Sequence, residues 1–247
     1  MNLLLLSSSK VKDTGYLTHA LPLIKEFLPK KSEKPIEVLF IPYAGVTINY
    51  DDYESRVAQA LTPLNIRLTS IHHCFTNENG KNEAKRQIKN TDCILVGGGN
   101  TFALLNKLYE LDILQTMQKS VSTGTAYVGW SAGSNIAGET IKTTNDMPIV
   151  EPPSFSALNL IPYQLNPHYL EANPVGHHGE TRQQRIEEYL AFNPKGRVLA
   201  IPEGTALLVK NQSIMYLEGV QTKALGYLFT TTEKKQLINQ TNIQSLI

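Results

Sequence analysis

The run Ala126-Tyr127-Val128-Gly129-Trp130-Ser131-Ala132-Gly133 leaves a folding chain few options. Its first half is apolar and strand-forming, and Gly-x-Ser-x-Gly closes it, so a buried strand has to turn sharply into a helix around one residue. Side chains beside such a turn would strike neighbouring backbone, which is the reason for glycine at 129 and 133, and Ser131 projects into the open. Ala132-Gly133-Ser134-Asn135-Ile136-Ala137 is able to form the helix the turn requires. The bare pattern also fits a glycine-rich strand-to-helix turn with an incidental serine, but its setting favours a mounted nucleophile.

The rest of the chain supplies the sheet that such a turn needs. Asn2 to Leu6 reads as a buried strand, and Tyr16 to Leu28 carries Leu17, Ala20, Leu21, Ile24, Phe27 and Leu28 at helical spacing. Ile36 to Ile41 is the next predicted strand and Asp51 to Leu61 the next helix, with Tyr53, Val57, Ala60 and Leu61 on one face. Ile66 to Ile71 (strand), Asn82 to Asn90 (helix) and Cys93 to Val96 (strand) repeat the step, the last running into Gly97-Gly98-Gly99. Thr101 is placed to cap a helix that buries Leu104, Leu105, Leu108 and Tyr109, and a short helix near Ile113 to Ser120 leads back to the strand beneath Ser131.

Beyond the turn the pattern loosens. Thr143 to Ser156 reads as a long ordered loop, Leu160 to Asn166 as a strand, Thr181 to Phe192 as a helix and Val198 to Ile201 as a short strand. Ala206 to Phe229 alternates, with turns at Asn211 and Gly219, and should form antiparallel strands at the sheet edge. The expectation is an α/β fold: a three-layer, doubly wound, mostly parallel sheet with antiparallel edge strands, in one serine-hydrolase domain over residues 1–247.

Charge narrows the partners. With 23 basic and 22 acidic residues the net charge is +1, which gives no field to gather nucleic acid or an anionic membrane. Leu3 to Leu6 has no basic flank and is too short for a signal peptide or a membrane span, so a cytoplasmic protein is expected, with Cys74 and Cys93 reduced. A monomer and a homodimer are equally compatible with the sequence, and no cofactor motif is evident.

A serine hydroxyl needs a base, and the sequence holds six histidines. His19 falls in a predicted helix, and His72 and His73 adjoin a strand. His177 and His178 sit in a loop, where they read as substrate-loop or surface residues. His168 differs, because Gln164-Leu165-Asn166-Pro167-His168 puts it where a strand meets a loop, and sites in open α/β sheets form beyond the carboxyl ends of strands. Without His-Glu-x-x-His or cysteine pairs, a zinc site at the paired histidines is disfavoured, and no metal is expected.

The base needs a carboxylate to fix its tautomer. Glu203, directly after the apolar strand Val198 to Ile201, and Asp146, inside the long loop, both qualify; strand-end geometry favours Glu203 and the sequence does not separate them. For the developing oxyanion, the Ala132 N–H follows the nucleophile, and the Gly97-Gly98-Gly99-Asn100 loop offers a second donor at Gly99. The rival reading of that loop, a phosphate cradle, lacks both Gly-Lys-Ser/Thr and Gly-x-Gly-x-x-Gly.

Gly97-Gly98-Gly99-Asn100-Thr101-Phe102, Gly129-Trp130-Ser131-Ala132-Gly133, Thr143-Thr144-Asn145-Asp146-Met147-Pro148, Asn166-Pro167-His168, Gly179-Glu180-Thr181-Arg182 and Pro202-Glu203-Gly204 together resemble the α-aspartyl dipeptidases of peptidase family S51. The resemblance runs in order from Leu3 to about Gly219. It implies a fold similar to class I glutamine amidotransferases and a serine peptidase that cleaves dipeptides beginning with aspartate. Ser131 and His168 match the family's nucleophile and base, while its third member has been placed at the positions of both Asp146 and Glu203. Arg182 is the residue the resemblance points to for the substrate carboxylate, with Asn100 as a further substrate contact. A guanidinium at a helix start suits that task, although a surface arginine paired with Glu180 or Glu187 is the plainer reading of Arg182 alone. Two other functions fit the same elbow: a cyanophycinase-like hydrolase of β-aspartyl peptides, and a non-catalytic α/β small-molecule-binding module.

Overall fold

A computed structural model describes residues 1–30, 34–76, 78–173, 176, 178–219 and 224–243. Its strands are β1 (Asn2–Leu6), β2 (Ile36–Ile41), β3 (Ile66–Ser70), β4 (Cys93–Val96), β5 (Ala126–Trp130), β6 (Gln164–Pro167), β7 (Val198–Ile201), β8 (Ala206–Lys210), β9 (Ser213–Leu217), β10 (Tyr227–Phe229) and β11 (Lys234–Gln236). The helices are α1 (Leu21–Phe27), α2 (Tyr50–Leu61), α3 (Gly80–Asn90), α4 (Thr101–Glu110), α5 (Leu114–Ser122), α6 (Ala132–Asn135) and α7 (Arg182–Phe192).

A seven-stranded sheet, ordered β3-β2-β4-β5-β1-β8-β9, forms the centre. The first five strands in that order pair in parallel and the last two antiparallel. The inner strands are apolar at nearly every position because both faces are covered, and the period of two sorts their side chains. Leu3, Leu5, Ile94, Val96 and Tyr127 face one layer, which holds the buried sides of α3, α4 and α5. Leu4, Leu6, Leu95, Val128 and Trp130 face the other, built from α1 and α2. Helices on both faces of a mostly parallel sheet make the three-layer α/β arrangement that the sequence pattern implies.

Beside it stands a second sheet, ordered β11-β10-β7-β6, which the sequence pattern did not separate from the first. The edge expected from Ala206 to Phe229 therefore divides: β8 and β9 extend the large sheet, whereas β10 pairs with β7. Leu165, Leu199, Ile201 and Leu228 of the small sheet share a core with the large one, and α7 covers the opposite face through Ile186 and Leu190.

Local chemistry moves several boundaries. The helix expected over Tyr16 to Leu28 begins only at Leu21, because Leu17 adopts φ 56° and Pro22 occupies the first turn, where its missing N–H costs nothing. Asn100, rather than Thr101, caps α4, its side chain accepting from Ala103 N–H. Thr181 caps α7 in a reciprocal box with Gln184.

Leu5 is fully buried in β1, between β5 and β8. Leu5→Ala should lower folding stability by about 2–5 kcal/mol in urea denaturation. A loss below about 1 kcal/mol would contradict its place at the centre of the core.

Candidate active site

Ser131 is held at φ 53°, ψ −115°, a conformation rare for a residue with a side chain and worth about 1–3 kcal/mol of strain. The turn is so tight that a Cβ on Gly129 would lie 2.4 Å from Gly133 O, and one on Gly133 would lie 2.1 Å from Val96 O. Ser131 N–H donates to Leu6 O of β1, and Ser131 O accepts from the N–H groups of Ser134 and Asn135 in the first turn of α6. Ser134 Oγ ties the same turn to Leu6 O and Gly129 O, at 2.7 and 2.9 Å.

His168 follows β6 and Glu203 follows β7, so both come from the small sheet while the serine comes from the large one. His168 Nε2 lies 2.8 Å from Ser131 Oγ, and His168 Nδ1 lies 2.8 Å from Glu203 Oε1. With Nδ1 protonated and donating to the carboxylate, Nε2 is left as the acceptor for the serine proton. Asp146 is placed elsewhere: its Oδ2 accepts from Thr101 N–H at 2.7 Å and from Thr101 Oγ1 at 2.5 Å, at the start of α4. The geometry thus brings Glu203 to the imidazole and Asp146 to a helix terminus.

β1 joins the two halves. Ser7 Oγ donates to Ile201 O at 2.8 Å and accepts from His168 N–H at 2.9 Å. Ser8 Oγ accepts from Gly204 N–H at 3.2 Å. The sequence pattern assigns these serines no role; their position at the carboxyl end of a central strand was the available signal. Asn135, Thr143 and Asn145 brace the β6 backbone from the opposite side, through Leu165 O and Pro167 O.

Neither the Gly99 nor the Ala132 N–H donates to an acceptor among the described residues. Gly99 has φ +140°, and a Cβ there would lie 2.0 Å from Ala44 O, so only glycine brings this backbone so close to the Ala44 turn. Asn100 lines the same cavity, its amide donating to Met147 O. A cavity of about 510 Å³ opens beside Ser131 and His168, walled by Tyr16, Tyr53, Arg56 and Trp130. On the other side lies a narrow crevice lined by Thr101, Ala132, Asn135 and Asp146.

Arg182, the first residue of α7, is half-buried, and none of the salt bridges among the described residues engages it; Glu180 pairs instead with Arg185. Burial and the nearby Arg185 lower its pKa, while the Asp146 carboxylate pulls the other way. His19, on the short helical turn before α1, also proves relevant. Burial lowers its pKa against the pull of Glu203, and its Nδ1 is buried without a partner. Periodicity alone gave no hint that it lies within electrostatic reach of Glu203.

His72 and His73 meet Asp51 and Glu54, with all four donor atoms within 4.8 Å of one another, the one group among the described residues able to hold a metal. His72 bonds Asp51 at 2.9 Å and His73 bonds Glu54 at 2.6 Å, so the cluster is satisfied as two histidine–carboxylate pairs. It borders a neighbouring cavity of about 540 Å³, not the reactive serine. His177 lies outside the described residues, and no short contact places His178 at the site.

The chain has clear relatives among known proteins. The model of peptidase family S51 matches residues 3–217. The chain is 46% identical over 238 residues to peptidase E of Actinobacillus pleuropneumoniae serotype 5b, covering 96% of this chain and 94% of that one. Peptidase E of Shewanella denitrificans is 49% identical over 229 residues, covering 93% and 91%. Peptidase E of Haemophilus influenzae Rd is 48% identical over 210 residues, covering 85% and 92%. Among solved structures, a Listeria monocytogenes EGD-e protein assigned by name to peptidase E superposes with a TM-score of 0.65 at 26% identity, covering 88% of this chain and 98% of that one. A peptidase from an acI-B1 Actinobacterium shares the fold at 15% identity, with a TM-score of 0.66 and coverage of 98% and 96%.

Ser7→Ala would leave the buried His168 N–H without its acceptor. It should cost about 1–3 kcal/mol of stability in urea denaturation and slow covalent labelling of Ser131 by a fluorophosphonate. Labelling at the wild-type rate would mean that His168 holds its position without Ser7.

Proposed function

The chain belongs to peptidase family S51, and from that premise we propose that it is a serine dipeptidase that hydrolyses Asp-Xaa through an acyl-enzyme. The observation that carries the reading is the relay from Ser131 Oγ through His168 to Glu203, with both contacts at 2.8 Å.

Ser131 Oγ attacks the scissile carbonyl carbon as His168 Nε2 takes its proton. Glu203 accepts from Nδ1–H and stabilises the imidazolium. The negative charge that develops on the carbonyl oxygen falls to the N–H groups of Gly99 and Ala132, which are oriented before the reaction and cost no reorganisation during it. His168 returns the proton to the departing amine nitrogen, the C–N bond breaks and the second residue leaves. Water then attacks the ester with His168 again as base, which frees aspartate and restores Ser131. Asp146 serves by fixing the α4 terminus beside Asn100, itself a substrate contact. Arg182 holds the substrate's side-chain carboxylate; a half-buried guanidinium with no carboxylate bound to it supports that role.

One serine-hydrolase domain over 1–247 fits a triad drawn from both sheets and a core shared between them. A cytoplasmic setting accords with two free, buried cysteines. No helix among the described residues is long and apolar enough to cross a membrane. The partner is a small peptide, with nucleic acid and an anionic membrane disfavoured by the balanced charge, and the enzyme works as a monomer or homodimer.

Ser131→Ala should lower kcat/KM for Asp-Leu by up to about 10⁶-fold. Glu203→Gln should cost up to about 10⁴-fold and Asp146→Asn far less; the reverse order would move the third role to Asp146. Arg182→Ala should reduce Asp-Leu cleavage while barely altering any residual Asn-Leu activity, since an asparagine side chain gives the guanidinium no charge to pair. Equal losses on both substrates would remove Arg182 from the specificity assignment.

A further inference from the structure

A second guanidinium, on an exposed residue, lines the cavity beside Ser131. Arg56 of α2 lines the cavity of about 510 Å³ that Ser131 and His168 share, and among the described lining residues it alone carries a permanent charge. Its Cζ lies 5.9 Å from the centroid of the Tyr16 ring. Tyr16 Oη accepts from Trp130 Nε1 at 3.0 Å and donates to Tyr53 Oη at 3.1 Å, and Tyr53 Oη donates to Gly98 O at 2.9 Å. This chain of bonds ties the Tyr16 ring beside Arg56 to the glycine loop next to Ser131, along one wall of the cavity. None of the salt bridges among the described residues engages Arg56. Val46, Ile48 and Ile149 add an apolar stretch of wall, next to the polar Ser9, Thr47 and Asn100.

We propose that this cavity is the subsite for the departing residue, and that Arg56 binds its free α-carboxylate. The inference rests on the dipeptidase reading above and names a contact that reading does not contain. A dipeptide bound at Ser131 has its second Cα about 3.8 Å beyond the first, with its terminal carboxylate one bond further. An arginine on the cavity wall meets that group with two parallel donors, while the apolar wall receives the second side chain. A longer peptide presents a neutral amide there, so Arg56 loses its partner and the chain runs into the wall. The limit to short substrates then follows from charge as much as from space.

Kinetics on Asp-Leu and its amide, Asp-Leu-NH₂, test this. The wild type should favour the acid by about tenfold or more in kcat/KM, mostly through KM. Arg56→Gln should bring the ratio close to one, and Arg56→Lys should restore part of it. If Arg56→Gln leaves the ratio unaltered, or lowers both substrates equally, the proposal is overturned; the second result would put Arg56 on the aspartate side chain. Calorimetric titration of Ser131→Ala with the same two ligands, with and without Arg56→Gln, separates this subsite from the chemistry. Should the wild type cleave neither compound, the dipeptidase reading falls. An acid preference in binding that vanishes with Arg56→Gln would still uphold the carboxylate site, whereas equal binding, or none, would end it.

Discussion

Two hydrogen bonds from one hydroxyl hold the reactive centre together. Ser7 Oγ sits at the end of β1, donates to the last residue of β7 and receives the backbone N–H of His168. Without that bridge, the distance between Ser131 and His168 would rest on the Ser8 bond to Gly204, the Asn135 and Asn145 bonds to the β6 backbone and side-chain packing. Packing tolerates small slips, but a proton transfer between Oγ and Nε2 does not, since misplacement by about 1 Å can cost two orders of magnitude in rate. Ser8 and Leu6 repeat the device on either side, binding Gly204 and Ser131. Three successive residues thus fix the backbone at all three members of the relay.

The strain at Ser131 becomes intelligible in the same frame. A non-glycine residue at φ 53° persists only where its surroundings over-determine it, and here its N–H and its C=O are all engaged. His168 also has a positive φ, of 56°, directly after Pro167. The side chains of Ser131 and His168 are therefore both aimed by unusual backbone, each clamped to β1. The clamps keep the imidazole and the hydroxyl from relaxing apart.

How much of this was legible beforehand depended on the range of the interaction. Sharp turns and buried strands are local, so the Gly129 to Gly133 elbow, the apolar runs of β1, β4 and β7, and the strand-end positions of His168 and Glu203 could be read from short windows. The family resemblance supplied Arg182, which periodicity alone would have left on the surface. The division into two sheets was hidden, because strand pairing is a long-range choice and β6, β7 and β10 are only three or four residues long. Nor could spacing separate Glu203 from Asp146: each is a loop carboxylate, and what distinguishes them is the competing donor pair on Thr101. Ser7 was overlooked since a serine after a leucine run reads as a strand end, and its partners lie 161 and 194 residues away.

The seam between the sheets also sets a sequence of events in time. The large sheet's nucleophile strand and elbow are complete by residue 137, whereas His168 and Glu203 lie 37 and 72 residues after Ser131 along the chain. A chain emerging from the ribosome, N-terminus first, would thus carry its serine hydroxyl past the nascent proteins around it with no base to deprotonate it. On the proposed mechanism, reactivity arrives only when the late strands dock on β1. The same architecture works in reverse: any opening that parts the small sheet from β1 would take His168 and Glu203 away from the serine.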